Sequence, residues 1–191
     1  FFYFRSCTCL PLLQDAGRLA ACIMTFRDKV RAAHRSEQDT AMSHTATLVW
    51  GDHLLMGHGP MDELHEEFVE LIAPLQTAED SELPSLLQAM QTHLQHHFAE
   101  EDQWMLSSGF PPRDCHIDEH AAVLKSVAEV RVKLAEGNVA LCRDLTQALV
   151  DWFPGHATHL DSALAHWMSK QRFGGKPVVI RRRILSSAES H

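Results

Sequence analysis

Apolar residues return every three or four positions in four separate stretches of this chain, the spacing that lines one face of an α-helix. In the first, Leu64, Phe68, Leu71, Ile72 and Leu75 predict a helix from Asp62 to about Thr77, which Pro74 should kink or end early. The second series is Leu83, Leu86, Leu87, Met90, Leu94, Phe98, Trp104 and Met105. It predicts a helix to about Ser108, with Ser81 as N-cap and Pro84 early enough to be tolerated. Gly109-Phe110-Pro111-Pro112 ends it. A third helix is predicted from an Asp114 cap to about Glu136, with His116, His120, Val123, Val127, Val130 and Leu134 inward and Gly137 as its stop. The fourth opens at Asn138, turns Leu145, Leu149, Trp152, His156 and Leu160 inward, and continues to about Lys170.

Four helices with short connections predict an all-α fold, an up-down-up-down four-helix bundle. Residues 43–60, punctuated by Gly57, Gly59 and Pro60, predict an extended N-terminal arm with Trp50 packed on the bundle. The bundle domain is expected over 42–170, with Met42 as its natural start. Residues 1–41 read as an extension, either carrying a short helix from about Asp15 to His34 or disordered. Residues 171–191 read as a basic, solvated C-terminal tail.

Composition agrees: the chain has 191 residues, room for one domain, and its 9 Gly, 8 Pro and single Tyr favour helices over a sheet. The net charge of -8 argues against nucleic acid as a partner. That charge is uneven, because residues 170–191 hold six basic residues against Glu189 alone. No apolar run approaches the roughly 18 residues that span a bilayer, so no membrane partner is expected. The five Cys are odd in number and fit no disulfide framework, which points to a reducing compartment, hence the cytoplasm. No convincing cleavable signal peptide is found. Oligomeric state is left open.

The 14 His are the anomaly, an excess that points to metal or proton chemistry. His97 and Glu101 are four apart and share one helix face close to the apolar series. Burying them is costly unless something binds them, and a cation does so well. Alone this pair is a weak signal. Each predicted helix, however, offers inward polar groups: His65 on the first, His97 and Glu101 on the second, His116 and His120 on the third, His156 and Asp161 on the fourth. Bundle cores are where metal sites are built from facing helices. Five imidazoles and two carboxylates exceed the needs of one ion and suit two, with the carboxylates bridging.

The run Trp50…Gly57…Asp62-x2-His65, then His97-Phe98-x2-Glu101, then His116-x3-His120, then Trp152-x3-His156-x4-Asp161 resembles the hemerythrin family in its bacterial single-domain form, over roughly residues 46–170. The resemblance implies two iron ions (Fe2+/Fe3+) with an oxo or hydroxo bridge. His116, His120 and His156 would hold one, His65 and His97 the other, and Glu101 and Asp161 would bridge. The two-histidine iron would keep an open position for dioxygen. Phe98, Trp152 and Phe153 suit the walls of that pocket, and simple core packing accounts for them equally well.

Two positions depart from the family's pattern as we read it. His93 stands one turn before His97, where an aromatic such as Tyr is expected, and Pro154 falls inside the fourth helix. His156 and Asp161, five apart, predict an irregular turn between them. The expected function is a non-haem di-iron protein that binds dioxygen reversibly for storage, delivery or sensing, not an enzyme. The alternative is a di-iron redox enzyme acting on peroxide, nitric oxide or ferrous iron.

Overall fold

The computed structural model describes residues 48–174; the expectations for 1–41 and for most of the basic tail lie outside them. A short 3-10 turn (Asp52–Leu54) precedes α1 (Gly59–Thr77), α2 (Leu83–Ser108), α3 (Arg113–Ala135) and α4 (Val139–His156). A π turn (Ala157–Asp161) then joins α4 to α5 (Ser162–Phe173), and the two helices continue as the fourth rod. Each rod packs on the next and the first on the fourth, which closes a four-helix bundle.

Local chemistry sets the boundaries. α1 starts three residues before Asp62, with Pro60 in its first turn where no backbone donor is missed. Asp62 instead clamps the arm: its carboxylate accepts from Met56 N at 2.6 Å and from Gly57 N at 3.1 Å. Gly57, at φ +77°, makes the turn that this clamp requires. Pro74 does not end α1 early; its exposed position lets the helix run on to Thr77. Arg143 from α4 then donates to the carbonyls of Leu75 and Ala78 and to the Asp80 carboxylate, satisfying acceptors at the helix end. Ser81 is not the cap of α2; Glu82 takes that position. Asp114 lies in the first turn of α3 rather than before it, where its charge still suits the helix dipole. Asn138 caps α4 as expected, accepting from Leu141 N at 3.1 Å.

The apolar stripes meet in one main core that runs from the Leu75, Leu83 and Leu134 end up to Phe68, Phe98 and Phe153. Phe68 and Phe153 stack across α1 and α4 with centroids 4.1 Å apart. Burying each such ring stabilises the fold by roughly 1.5–3 kcal/mol. A second, smaller cluster of Met61, Met105, Phe110, Leu164 and Ala165 closes the opposite end. Between the two lies a band of buried polar side chains. Cys142 is a buried free thiol. Among the described residues, no helix is long and apolar enough to cross a membrane.

Candidate metal centre

The polar band holds all seven residues singled out in the sequence. His65 (α1), His97 and Glu101 (α2), His116 and His120 (α3), His156 (α4) and Asp161 (π turn) are each 0–1 % exposed. α-Helical spacing explains most of this: His97/Glu101 and His116/His120 are i, i+4 pairs that share a face. The π turn explains the last, by aligning Asp161 with His156 across five positions.

Their donor atoms sort into two groups. Glu101, His116, His120, His156 and Asp161 form one; His65, His97 and Glu101 form the other. The carboxylates span both. Glu101 Oε1 lies 3.3 Å from His97 Nε2 and 3.8 Å from His65 Nε2, while its Oε2 lies 3.1 Å from His120 Nε2 and 3.7 Å from His116 Nε2. Asp161 Oδ2 lies 3.2 Å from His65 Nε2, while its Oδ1 lies 3.0 Å from His116 Nε2 and 3.3 Å from His156 Nε2.

Apart from the contact between His97 Nε2 and Glu101 Oε1, these approaches are not hydrogen bonds. Glu101 Oε2, both Asp161 oxygens and His65 Nε2 are buried with no hydrogen-bond partner. Leaving so many buried polar atoms unpaired is costly. His156 Nε2 also sits 3.3 Å from Nε2 of both His116 and His120, so the imidazole nitrogens turn toward one another. Nitrogen and oxygen lone pairs that converge on common points fit cations, and this donor set of imidazole and carboxylate suits iron.

Electrostatics points the same way. Burial alone would lower His65, but the adjacent Asp161 and Glu101 outweigh it and push the imidazole up to about 9. Burial likewise opposes, and Asp102 and Glu101 overcome, in pushing His120 up to about 9. Burial raises Glu101, yet the imidazoles led by His97 hold it well below the usual carboxylate range. Asp161 is lowered too, the histidines outweighing both burial and repulsion from Glu101. Without metal the site therefore holds two carboxylates balanced by protons on imidazoles, protons that an entering cation displaces.

Outer partners orient the rings. His120 Nδ1 faces Asp102 Oδ1 at 2.8 Å. His156 Nδ1 faces Glu119 Oε1 at 3.4 Å, and the same oxygen accepts from Trp152 Nε1 at 2.7 Å. A carboxylate behind a ligating imidazole fixes its tautomer and raises its basicity. Sequence reasoning missed Asp102 and Glu119; the signal was there, each being an acid adjacent to a singled-out residue. His93 is buried against His97 and Phe68, with Nδ1 3.3 Å from Glu67 Oε2.

The three expected wall residues divide. Phe153 meets His65 edge-on at 5.2 Å, at the two-histidine end. Phe98 stacks flat on His120 at 4.0 Å, and Trp152 lies 4.4 Å from His156, both at the three-histidine end. Phe68, on the far side of Phe153, joins the two-histidine wall unannounced by any motif. His53, His96, His159 and His166 are exposed, and His58 is half-buried against Trp104.

Comparison with known proteins agrees with this geometry. The family model described as the hemerythrin HHE cation binding domain matches residues 57–167. A bacteriohemerythrin of Ralstonia nicotianae is 35% identical over 124 residues, which covers 65% of this chain and 90% of that protein. One from Stenotrophomonas maltophilia is 28% identical over 124 residues, covering 63% and 80%. One from Pseudomonas aeruginosa is 28% identical over 133 residues, covering 65% and 86%. No solved structure matches significantly.

Proposed function

This chain belongs to the hemerythrin family, and we propose that it takes up and releases dioxygen reversibly, for storage, delivery or sensing. Family membership supports a non-haem di-iron protein, and the buried cluster of histidines, Glu101 and Asp161 fits a di-iron site. In this reading His116, His120 and His156 hold one ion, His65 and His97 the other, and Glu101 and Asp161 bridge. Two ferrous ions there supply the electrons that dioxygen binding draws on.

One observation carries the reading: the donors are unequal. Three imidazoles converge at one end and two at the other, while both carboxylates are shared. The His65/His97 end is one imidazole short, and a small neutral molecule can complete it. Phe153 and Phe68 exclude water there, which slows the proton-assisted loss of reduced oxygen. Glu119 and Asp102 hold the opposite imidazoles in the tautomer that presents Nε2 inward. The proposed role is binding rather than turnover.

The test is anaerobic reduction followed by air, watched by absorbance. A visible charge-transfer band that appears with air and disappears under vacuum is expected, together with two iron ions per chain. Rapid multiple-turnover consumption of peroxide with no stable oxygenated form overturns the binding role in favour of an enzyme. One zinc per chain and no iron overturns the di-iron assignment.

A further inference from the structure

Of the five methionines within residues 48–174, four gather at one end of the bundle: Met61 and Met105 form its second core cluster, and Met56 and Met168 pack against it. Met61 precedes His65 by four residues on α1, and Met105 follows Glu101 by four on α2. Each thioether therefore stands on the face, and one turn from the level, of a residue in the metal centre. Leu164, three residues after Asp161, completes the same floor. Met61 and Met105 are both 0 % exposed. Packing alone does not call for methionine here, because leucine has nearly the same volume and a better-defined shape. Met90 provides the contrast: it is equally buried but belongs to the main core, seven residues before His97.

We propose that Met61 and Met105 are scavengers of hydrogen peroxide released at the metal centre, each becoming a methionine sulfoxide. The proposal rests on the oxygen-binding reading, which supplies the oxidant. Dioxygen that departs with one electron from each of two ferrous ions and two protons from water leaves as hydrogen peroxide. The thioether sulfur lone pair attacks one peroxide oxygen, the O–O bond breaks, an S–O bond forms and the other oxygen leaves as water. Sulfur loses two electrons and the peroxide gains them. The thioether has no protonation state to satisfy, so it reacts at any physiological pH. The product is reversible by methionine sulfoxide reductases, but a polar sulfoxide in an apolar cluster loosens that cluster until it is repaired.

The experiment uses the full chain loaded with ferrous iron. Reversible formation of the visible band in air is recorded first, and the sample is then left in air until the band has gone. Peptide mass spectrometry locates the sulfoxides. Met61 and Met105 are expected to carry several-fold more sulfoxide than Met90, and several-fold more than in metal-free protein kept in air alongside. Equal oxidation of Met61, Met105 and Met90, or oxidation confined to the partly exposed Met56 and Met168, overturns the proposal. Absence of the reversible band overturns the oxygen-binding reading and this proposal with it. In the double variant Met61→Leu, Met105→Leu, the same iron content but fewer air–vacuum cycles before the band is lost is expected. An unchanged number of cycles overturns the scavenging role.

Discussion

Nε2 of His156 lies 3.3 Å from Oδ1 of Asp161, although the two residues are five positions apart. In a regular α-helix a separation of five leaves side chains about 140° apart around the axis. They meet because Ala157–Asp161 form a π turn, in which Ser162 N–H donates to the Ala157 carbonyl five residues back. Pro154 prepares this, since it has no N–H to offer the carbonyl of Val150. The turn behaves as a one-residue insertion placed to serve the site.

Deletion of His159 tests that description. His159 is exposed, and removing it leaves His156 and the aspartate four apart, which an unbroken α-helix aligns. The variant is expected to keep two iron ions per chain and to show unchanged or higher helicity. Insertion of one alanine after His159 rotates Asp161 by about 100° and should sharply lower iron content. Iron lost on deletion and kept on insertion would contradict the register argument.

Asp102 and Glu119 stand behind His120 and His156 without belonging to the inner cluster. Asp102→Asn and Glu119→Gln keep volume and remove charge. Each is expected to weaken iron binding about 10–100-fold, measured by competition with a chelator. The far-ultraviolet circular dichroism should not change. Unaltered affinity in both variants would show that the imidazoles are held by packing alone.

The sequence carried most of this molecule openly. Three-and-four spacing located all four rods, and six of the seven inward polar residues could be picked because each interrupts an apolar stripe at a compatible position, Asp161 being the exception. Helix starts were read less well. Ser81 looks like a cap, but Glu82 supplants it, and Asp62, where the first helix is expected to begin, is recruited by the backbone of the arm. Such choices are decided by competing partners within a turn, which spacing does not register. Phe68 escaped for a different reason. It looks ordinary on its own helix, and only packing across α1/α4 brings it against Phe153.

Phe153 separates His65 from the main core and stacks on Phe68. Phe153→Ala is expected to cost about 3–5 kcal/mol of stability, read from denaturant unfolding of the iron-loaded protein. It should also shorten the lifetime of the air-dependent band, because water reaches the two-histidine end. Phe98→Leu, at the three-histidine end, should lower stability less and leave that lifetime nearly unchanged. Equal lifetimes in wild type and Phe153→Ala would remove Phe153 from the pocket wall.

Protons held by the imidazoles of the metal-free protein make its stability depend on pH in a particular direction. His65 and His120 are pushed up to about 9 from an ordinary value of 6.5, each by carboxylates that overcome burial. A folded state that binds a proton more tightly than the unfolded chain is stabilised by it. That contribution is fully present below 6.5 and is lost as pH rises through about 9. The other shifted groups of the site do not blur this window. His93 is lowered to about 4 by burial and by His97, His156 is lowered by burial, and Glu101 and Asp161 are lowered, so all four change charge at more acid pH. Metal-free protein should therefore become less stable between pH 6.5 and 9, by up to a few kcal/mol. Iron-loaded protein should not follow, because coordination requires neutral imidazoles and gains from their deprotonation. Melting temperatures of the two forms across this range provide the check. The gap between them should widen steadily with pH; a metal-free protein whose melting temperature stays level or rises from 6.5 to 9 would show that His65 and His120 do not hold those protons.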